Sequence, residues 1–483
     1  MPERPNILLI TTDQQRWDAV SGTGPAFLRT PHFEHLCKEG VRFNRAYSDC
    51  PTCVPARRTI MTGQHAHTHG MTENSVKVPV DSAATLPGQL AAGGYQTMAI
   101  GKMHFSPQRA RQGFQEMILP DDYYREMAQR GGPQPMRHGL GQNEVTPGMS
   151  TVPEGDTLTS WIAERSVDFI SHRRDPTTPF FLWTSFSKPH PPLDPPEPYY
   201  SMYRRNDIPE PVMGDWANDE DCPVALKRMW ERMGGGLSPE IVREARAAYY
   251  GLISQIDFNL GRLFAALRAS GQWRNTIIIF TSDHGEYLGD HGGMWKGFFH
   301  ESSARVPFVL RLPPSEPWTS SDRTVEDLVC LADVYPTLLC AAGLDVPKNV
   351  DGIDLSPIAR GKEQPSDRHV VSVFASDREH CYQLAVTDGK WKYLWFPEGG
   401  AEQLFDLIND PQELKNLGAD GESAEMKSKL KKALIDELES KNSPYIEAGK
   451  LWETPVQVDP LGFRGSHRFP GFSLEQSDRD SRH

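Results

Sequence analysis

The sequence predicts an α/β fold: a large, mostly parallel central sheet with helices on both faces, followed by a small C-terminal antiparallel sheet-and-helix subdomain. Three observations carry this. Wholly apolar strand runs recur along the chain, they alternate with helical periodicities, and after about Arg368 the pattern changes to short strands and one charged helix.

In chain order, Asn6 to Thr12 (NILLITT) is apolar enough for a strand buried on both faces. Thr30 is expected to cap the helix that follows, with Pro31 at its first position, Phe33, Leu36 and Cys37 inward, and Gly40 as its stop. Further strands are expected at Val41 to Tyr47, Tyr95 to Ile100, Phe180 to Phe186, Thr276 to Thr281 and Val306 to Leu310. Helices fill Thr85 to Ala92, Asp156 to Arg173, Pro239 to Ala269 and Leu331 to Ala342. The Pro- and Gly-bearing segments Arg130 to Pro153 and Pro189 to Pro223 are too long for ordinary connections, so they are expected to wall a site and set substrate choice. Beyond Arg368, strands at Val370 to Ala375, Cys381 to Thr387 and Trp391 to Trp395 precede a helix around Ala424 to Lys441. The expected division is 1–367 for the catalytic domain, 368–443 for the subdomain and 444–483 for a tail. Trp452, Phe463, Phe469 and Phe472 give that tail apolar surface to pack on this or a neighbouring subunit.

Composition excludes several classes. The chain has 483 residues, 38% apolar and 10% aromatic, too rich for disorder, while 40 Gly and 40 Pro imply many loops. With 51 Lys+Arg against 64 Asp+Glu, the net charge of −13 argues against nucleic acid as a partner. Met1 to Pro5 leads straight into a strand without the regions of a secretory signal, so a cytoplasmic location is expected. Asp327 to Leu344, the most apolar long stretch, is interrupted by Asp327, Asp333 and Pro336; it reads as a buried helix, and no membrane partner is expected. The seven cysteines are odd in number and scattered, which is not a disulfide framework.

Ligands of an open parallel sheet sit at the carboxyl ends of its strands. There the sequence places Asp13, Lys102, His104, His190, Asp283 and His284. Each alone reads equally well as a cap or loop residue; their shared edge favours a site. Asp13, Asp283 and His284 suit a divalent cation with positions left open for substrate oxygens. The segment Cys50-Pro-Thr-Cys53-Val-Pro55-Ala-Arg57 puts Cys53 just before a helix start, where unpaired amides favour an anion, with Arg57 one turn on.

These residues resemble the sulfatase family of the alkaline phosphatase superfamily, with choline sulfatases and phosphonate monoester hydrolases as near relatives. The resemblance rests on C-x-P-x-R at Cys53 to Arg57 followed by Thr62-Gly63, the opening PNILLITTDQ, GKMH at Gly101 to His104, and Pro189-His190. It extends to SDHG at Ser282 to Gly285, WKG at Trp295 to Gly297, RVP at Arg305 to Pro307, DVYPTLL at Asp333 to Leu339 and LFDLINDPQE at Leu404 to Glu413. It implies that Cys53 is converted to formylglycine by a formylglycine-generating enzyme. One hydroxyl of the hydrated aldehyde, activated by metal and Arg57, then attacks sulfur, and the adduct collapses with His104 as base. Lys102, Lys296 and the metal balance charge on the sulfonyl oxygens, and His190 or Lys296 protonates the departing alcohol. The implied metal ligands are Asp13, residue 53, Asp283 and His284, with calcium the default and manganese the competitor. Gln14 stands where many members carry a second Asp.

Sulfate monoester hydrolysis is the expected activity. The alternative is a phosphonate monoester or phosphodiester hydrolase using the same site, and GKMH favours the former. Asn74 is expected to line the pocket, with a simple turn role equally open. A histidine-bridged site at His65-Ala-His67 and a protein that only binds sulfated ligands are weaker readings. The substrate is expected to be a small sulfated carbohydrate, alkyl or aryl ester, and the assembly a homo-oligomer.

Overall fold

A computed structural model describes residues 4–217, 222–233, 237–313, 323–362, 367–377 and 380–456. Its main sheet has eight strands: β1 (Asn6–Asp13), β2 (Val41–Tyr47), β3 (Gln96–Gly101), β4 (Glu116–Ile118), β5 (Phe180–Pro189), β6 (Thr276–Ser282), β7 (Phe308–Arg311) and β8 (Arg323–Cys330). Their order is β4-β3-β5-β1-β6-β7-β2-β8. Only β7 runs against its neighbours, so β1, β2, β3, β5 and β6 all end on one edge.

Alternation along the central strand explains the layers. Ile7 and Leu9 point to one face, where the helices Cys53–Thr62, Leu86–Ala92 and Val334–Ala341 contribute Ile60, Leu90 and Leu338. Leu8 and Ile10 point to the other, against Phe33, Ile162 and Leu263 from the helices Pro31–Glu39, Leu158–Asp168 and Pro239–Ala269. Both faces are therefore dry, as a parallel sheet requires. The antiparallel subdomain follows with β9 (Val370–Ser376), β10 (Cys381–Thr387), β11 (Trp391–Phe396) and β12 (Ala401–Asp406). Leu430, Leu434 and Leu438, one stripe of the helix Ala424–Ser440, cover one face of that sheet.

Several expectations are corrected. Residues from Asp327 to Cys330 belong to β8, parallel to β2, and the helical region begins only at Leu331. Short apolar runs cannot separate strand from helix by periodicity, and here pairing with β2 decided. Thr30 does not cap its helix, because its hydroxyl bonds Ser21; the amides of His32 and Phe33 donate instead to the Asp257 carboxylate, at 3.0 and 2.7 Å. The helix expected through Arg173 is α-helical to Asp168 and ends in a wider π turn. The helices Pro120–Arg130 and Val224–Met233 and the edge strands β4 and β12 were not anticipated. Of the tail, Trp452 packs on Tyr382 of this same chain, ring centroids 5.1 Å apart, whereas Phe463, Phe469 and Phe472 lie outside the described residues. Among the described residues no helix is long and apolar enough to cross a membrane.

Candidate active site

The edge shared by five strand ends collects the chemistry. Asp13 closes β1, Cys53 opens the helix after β2, Lys102 follows β3, His190 follows β5, and Asp283 and His284 follow β6. Ligand atoms of Asp13, Cys53, Asp283 and His284 lie within 4.8 Å of one another, all buried. Cys53 Sγ is 3.2 Å from His284 Nε2 and 3.8 Å from Asp13 Oδ1. Lys102 Nζ sits 2.6 Å from Asp13 Oδ2 and 3.9 Å from the sulfur.

Arg57 organises this cluster from below. Its Nε donates to Asp283 at 3.0 Å and Nη2 reaches both Asp13 and Asp283, at 3.1 and 2.9 Å. Nη1 donates to the Lys102 carbonyl at 2.5 Å and to Ser185 Oγ at 2.8 Å. All three guanidinium nitrogens thus donate hydrogen bonds, and the side chain is 1% exposed. Arg57 fixes the two carboxylates.

Electrostatics follows from burial and these neighbours. Burial pushes Asp13 up, but the charges of Lys102 and Arg57 beside it outweigh that and hold the carboxyl well below its usual range. Asp283 is raised by burial and by Asp13. Burial and Asp13 push the Cys53 thiol up; Lys102, Lys296 and His284 outweigh them and hold it well below its ordinary value. His190 is held neutral, its basicity lowered by burial, Lys296 and Lys102.

The donor set fits a divalent cation. Carboxylate oxygens and an imidazole converge, and His284 Nδ1 bonds the Gly285 carbonyl at 3.0 Å. That contact puts the ring proton on Nδ1 and leaves the Nε2 lone pair facing the cluster, the arrangement metal-bound histidines use. Gln14, at φ 71, completes the floor: its amide nitrogen donates to Glu286 and its Oε1 accepts from Lys296 Nζ at 2.5 Å.

Two expected residues stand apart. Asn74 is exposed, and its side-chain oxygen accepts from the Val54 amide at 2.9 Å, so it caps the Cys53 helix. His104 is exposed at the rim with φ 56, and among the described residues it makes no hydrogen bond or ion pair to the cluster. His65 and His67 sit around the helix Ala66–His69, beside Asp49 and Glu437 and outside the four-residue cluster. Sequence reasoning missed Ser185 and Glu286. Glu286 accepts from Gln14, from the Leu288 amide at 3.0 Å and from the Trp295 amide, which seats Lys296. The sequence carried no signal of this beyond the place of Glu286 two residues past His284.

Comparison with known proteins now decides the family. The family model described as Sulfatase matches residues 5–344, and one described as N-sulphoglucosamine sulphohydrolase, C-terminal, matches 289–440. The chain belongs to the sulfatase family. This sulfatase is 36% identical to an arylsulfatase of Clostridium perfringens, over 93% of this chain and 97% of the relative. It is 32% identical to a choline-sulfatase of Rhizobium meliloti, over 86% and 82%. A crystal structure of the phosphonate monoester hydrolase of Agrobacterium radiobacter superimposes with a TM-score of 0.76 at 27% identity, covering 91% of this chain and 95% of that one. The sulfatase is accordingly a hydrolase of the alkaline phosphatase superfamily.

Proposed function

We propose that this sulfatase cleaves sulfate monoesters of small sugars, aryl or alkyl alcohols through a formylglycine formed from Cys53, beside a divalent cation held by Asp13, Asp283, His284 and residue 53. The observation that carries this is the position of Cys53 Sγ: at a helix start, within 4.8 Å of two carboxylates and an imidazole, and facing Lys102. Calcium fits the oxygen-rich donor set best, with manganese the competitor because of His284.

A hydrated aldehyde at position 53 would supply a hydroxyl nucleophile that a serine matches only for the first half of the reaction, and the cation would supply Lewis acidity. The chain's own residues do the rest. Lys102 and Lys296 place two positive charges around an anionic ester, beside a buried cluster where charge counts for more than in water. His190 Nδ1 is tied to the Pro191 carbonyl at 2.8 Å, which fixes the ring and leaves Nε2 for the ester. Neutral while the site is empty of anions, it gains a proton when a sulfate group offsets the two lysines, and can then donate to the leaving oxygen. His104, two residues past Lys102, is the base in this reading, and its exposure lets it pass a proton to water. Arg57 acts through the carboxylates it holds.

The phosphonate monoester or phosphodiester reading is kept because the superposition on a phosphonate monoester hydrolase is close. The test is a panel of sulfate and phosphonate esters, assayed with enzyme produced alongside a formylglycine-generating enzyme. Mass spectrometry of the peptide carrying residue 53 should show aldehyde, sulfate esters should be turned over faster than phosphonates, and Cys53→Ala should lose more than about 1,000-fold in kcat. Equal turnover by the alanine variant would remove the proposal.

A further inference from the structure

The helix Pro120–Arg130 matches none of the motifs above, yet the fold carries it to the site. β3 and β4 are parallel, with Ile100 beside Ile118, so Lys102 and the helix start at Pro120 leave the same edge two residues later. Tyr123 anchors the helix: its ring packs 5.6 Å from Trp161 and its hydroxyl donates to the Asp156 carbonyl at 2.7 Å. Tyr124 is thereby turned outward.

Tyr124 is 43% exposed, unlike the other aromatics near it. Its ring sits 5.1 Å edge-on to Tyr123 and its hydroxyl contacts Met136 Sδ at 3.8 Å. The hydroxyl itself is crowded: burial, Asp194 and Asp121 push it up to about 12 against the pull of Lys102. The exposed ring thus stands on the helix that leaves the same sheet edge as Lys102, and its hydroxyl ends against Met136, two residues before His138.

The segment that carries Met136 is rigid. His138 Nε2 meets Asp194 Oδ2 at 3.0 Å, Lys188 Nζ bonds Asp194 and the Pro192 carbonyl, and the amides of Gly148 and Ser150 donate to Leu193 and Pro195. These bonds lock segment 136–153 onto the loop that carries His190. They also use both Asp194 oxygens, so that carboxylate is not left to balance a cationic substrate. Asp121, the other acid near the ring, accepts from Gln108 at 3.2 Å.

We propose that Tyr124 is a specificity-determining residue whose ring stacks on an aryl or pyranose ring of the departing alcohol. The inference deepens the proposed function and rests on it for the site, though its readout does not depend on which acid is esterified. Four esters serve, phenyl and ethyl sulfate with phenyl and ethyl methylphosphonate, and choline sulfate adds an acyclic cation. Selectivity is the ratio of phenyl to ethyl kcat/KM, in which intrinsic leaving-group reactivity cancels between variants. Tyr124→Ala should lower that ratio about 2- to 10-fold, mainly through KM, and Tyr124→Phe should retain it. An unchanged ratio in the alanine variant, or a larger loss on choline sulfate than on phenyl sulfate, overturns the inference. If the wild-type enzyme hydrolyses only the phosphonate pair, the sulfate-ester proposal falls while the stacking role is scored on that pair; if it hydrolyses neither, both fall.

Discussion

Two buried clusters in this molecule have nearly the same charges and do different things. In the site, Asp13 and Asp283 face Arg57 and Lys102. Where the subdomain docks, Glu301 and Glu413 face Lys392 and Arg305: Lys392 Nζ lies 2.6 and 2.9 Å from the two carboxylates, and Arg305 Nη1 lies 3.1 Å from Glu301. Both sets are desolvated. The second is closed, because Lys392 is fully buried beside the paired rings of Tyr47 and Phe299 and its carboxylates already have partners. In the first, Arg57 holds the carboxylates from below while a thiol and an imidazole converge on the same point from above. Charge density alone does not mark a site; donor atoms converging beside an opening do.

The comparison can be tested in order of effect. Lys392→Met leaves two buried carboxylates facing each other and should cost about 3–5 kcal/mol in urea or thermal unfolding, with the kinetic constants of the remaining folded enzyme near normal. A wild-type melting curve for that variant would dissolve the contrast. Lys102→Ala should lower kcat about 100- to 1,000-fold. Its unfolding midpoint should move less than that of Lys392→Met, because Arg57 still holds Asp13. Full activity in that variant would make Lys102 a mere counter-ion. The smallest effect concerns the half-open cluster at Glu402. Burial pushes this carboxyl up, but hydrogen bonds from Lys431, Tyr393 and Lys427 outweigh it and hold it at about 2, below its ordinary 4.5. A depressed acid stabilises above its unfolded value, so that contribution should be whole at pH 7 and fade as pH falls from 4.5 toward 2. Glu402→Gln should lower the midpoint slightly at pH 7, less in high salt, and converge with wild type near pH 2. A constant difference across that range would exclude ionisation as its source.

Much of this was legible before the fold was known. The apolar runs fixed the central strands, since β1 could be buried only on both faces, and the polar residues after them had to share an edge. The proline at position 55 placed Cys53 at a helix start. What escaped had physical reasons. β4 and β12 are short edge strands whose pairing, more than their composition, defines them. Arg57 was expected to help activate the nucleophile, and only its set of acceptors shows that it holds the two carboxylates. The helix that presents Tyr124 follows the three-residue strand β4, too brief to announce what comes after it.

The depth of Cys53 has one more consequence. Only 1% of the residue meets solvent, and its backbone is already wound into a helix turn. No second protein could grip that segment in the finished molecule without unravelling it. On the proposed function, which calls for a maturation enzyme to oxidise this thiol, that step would have to precede folding of the segment.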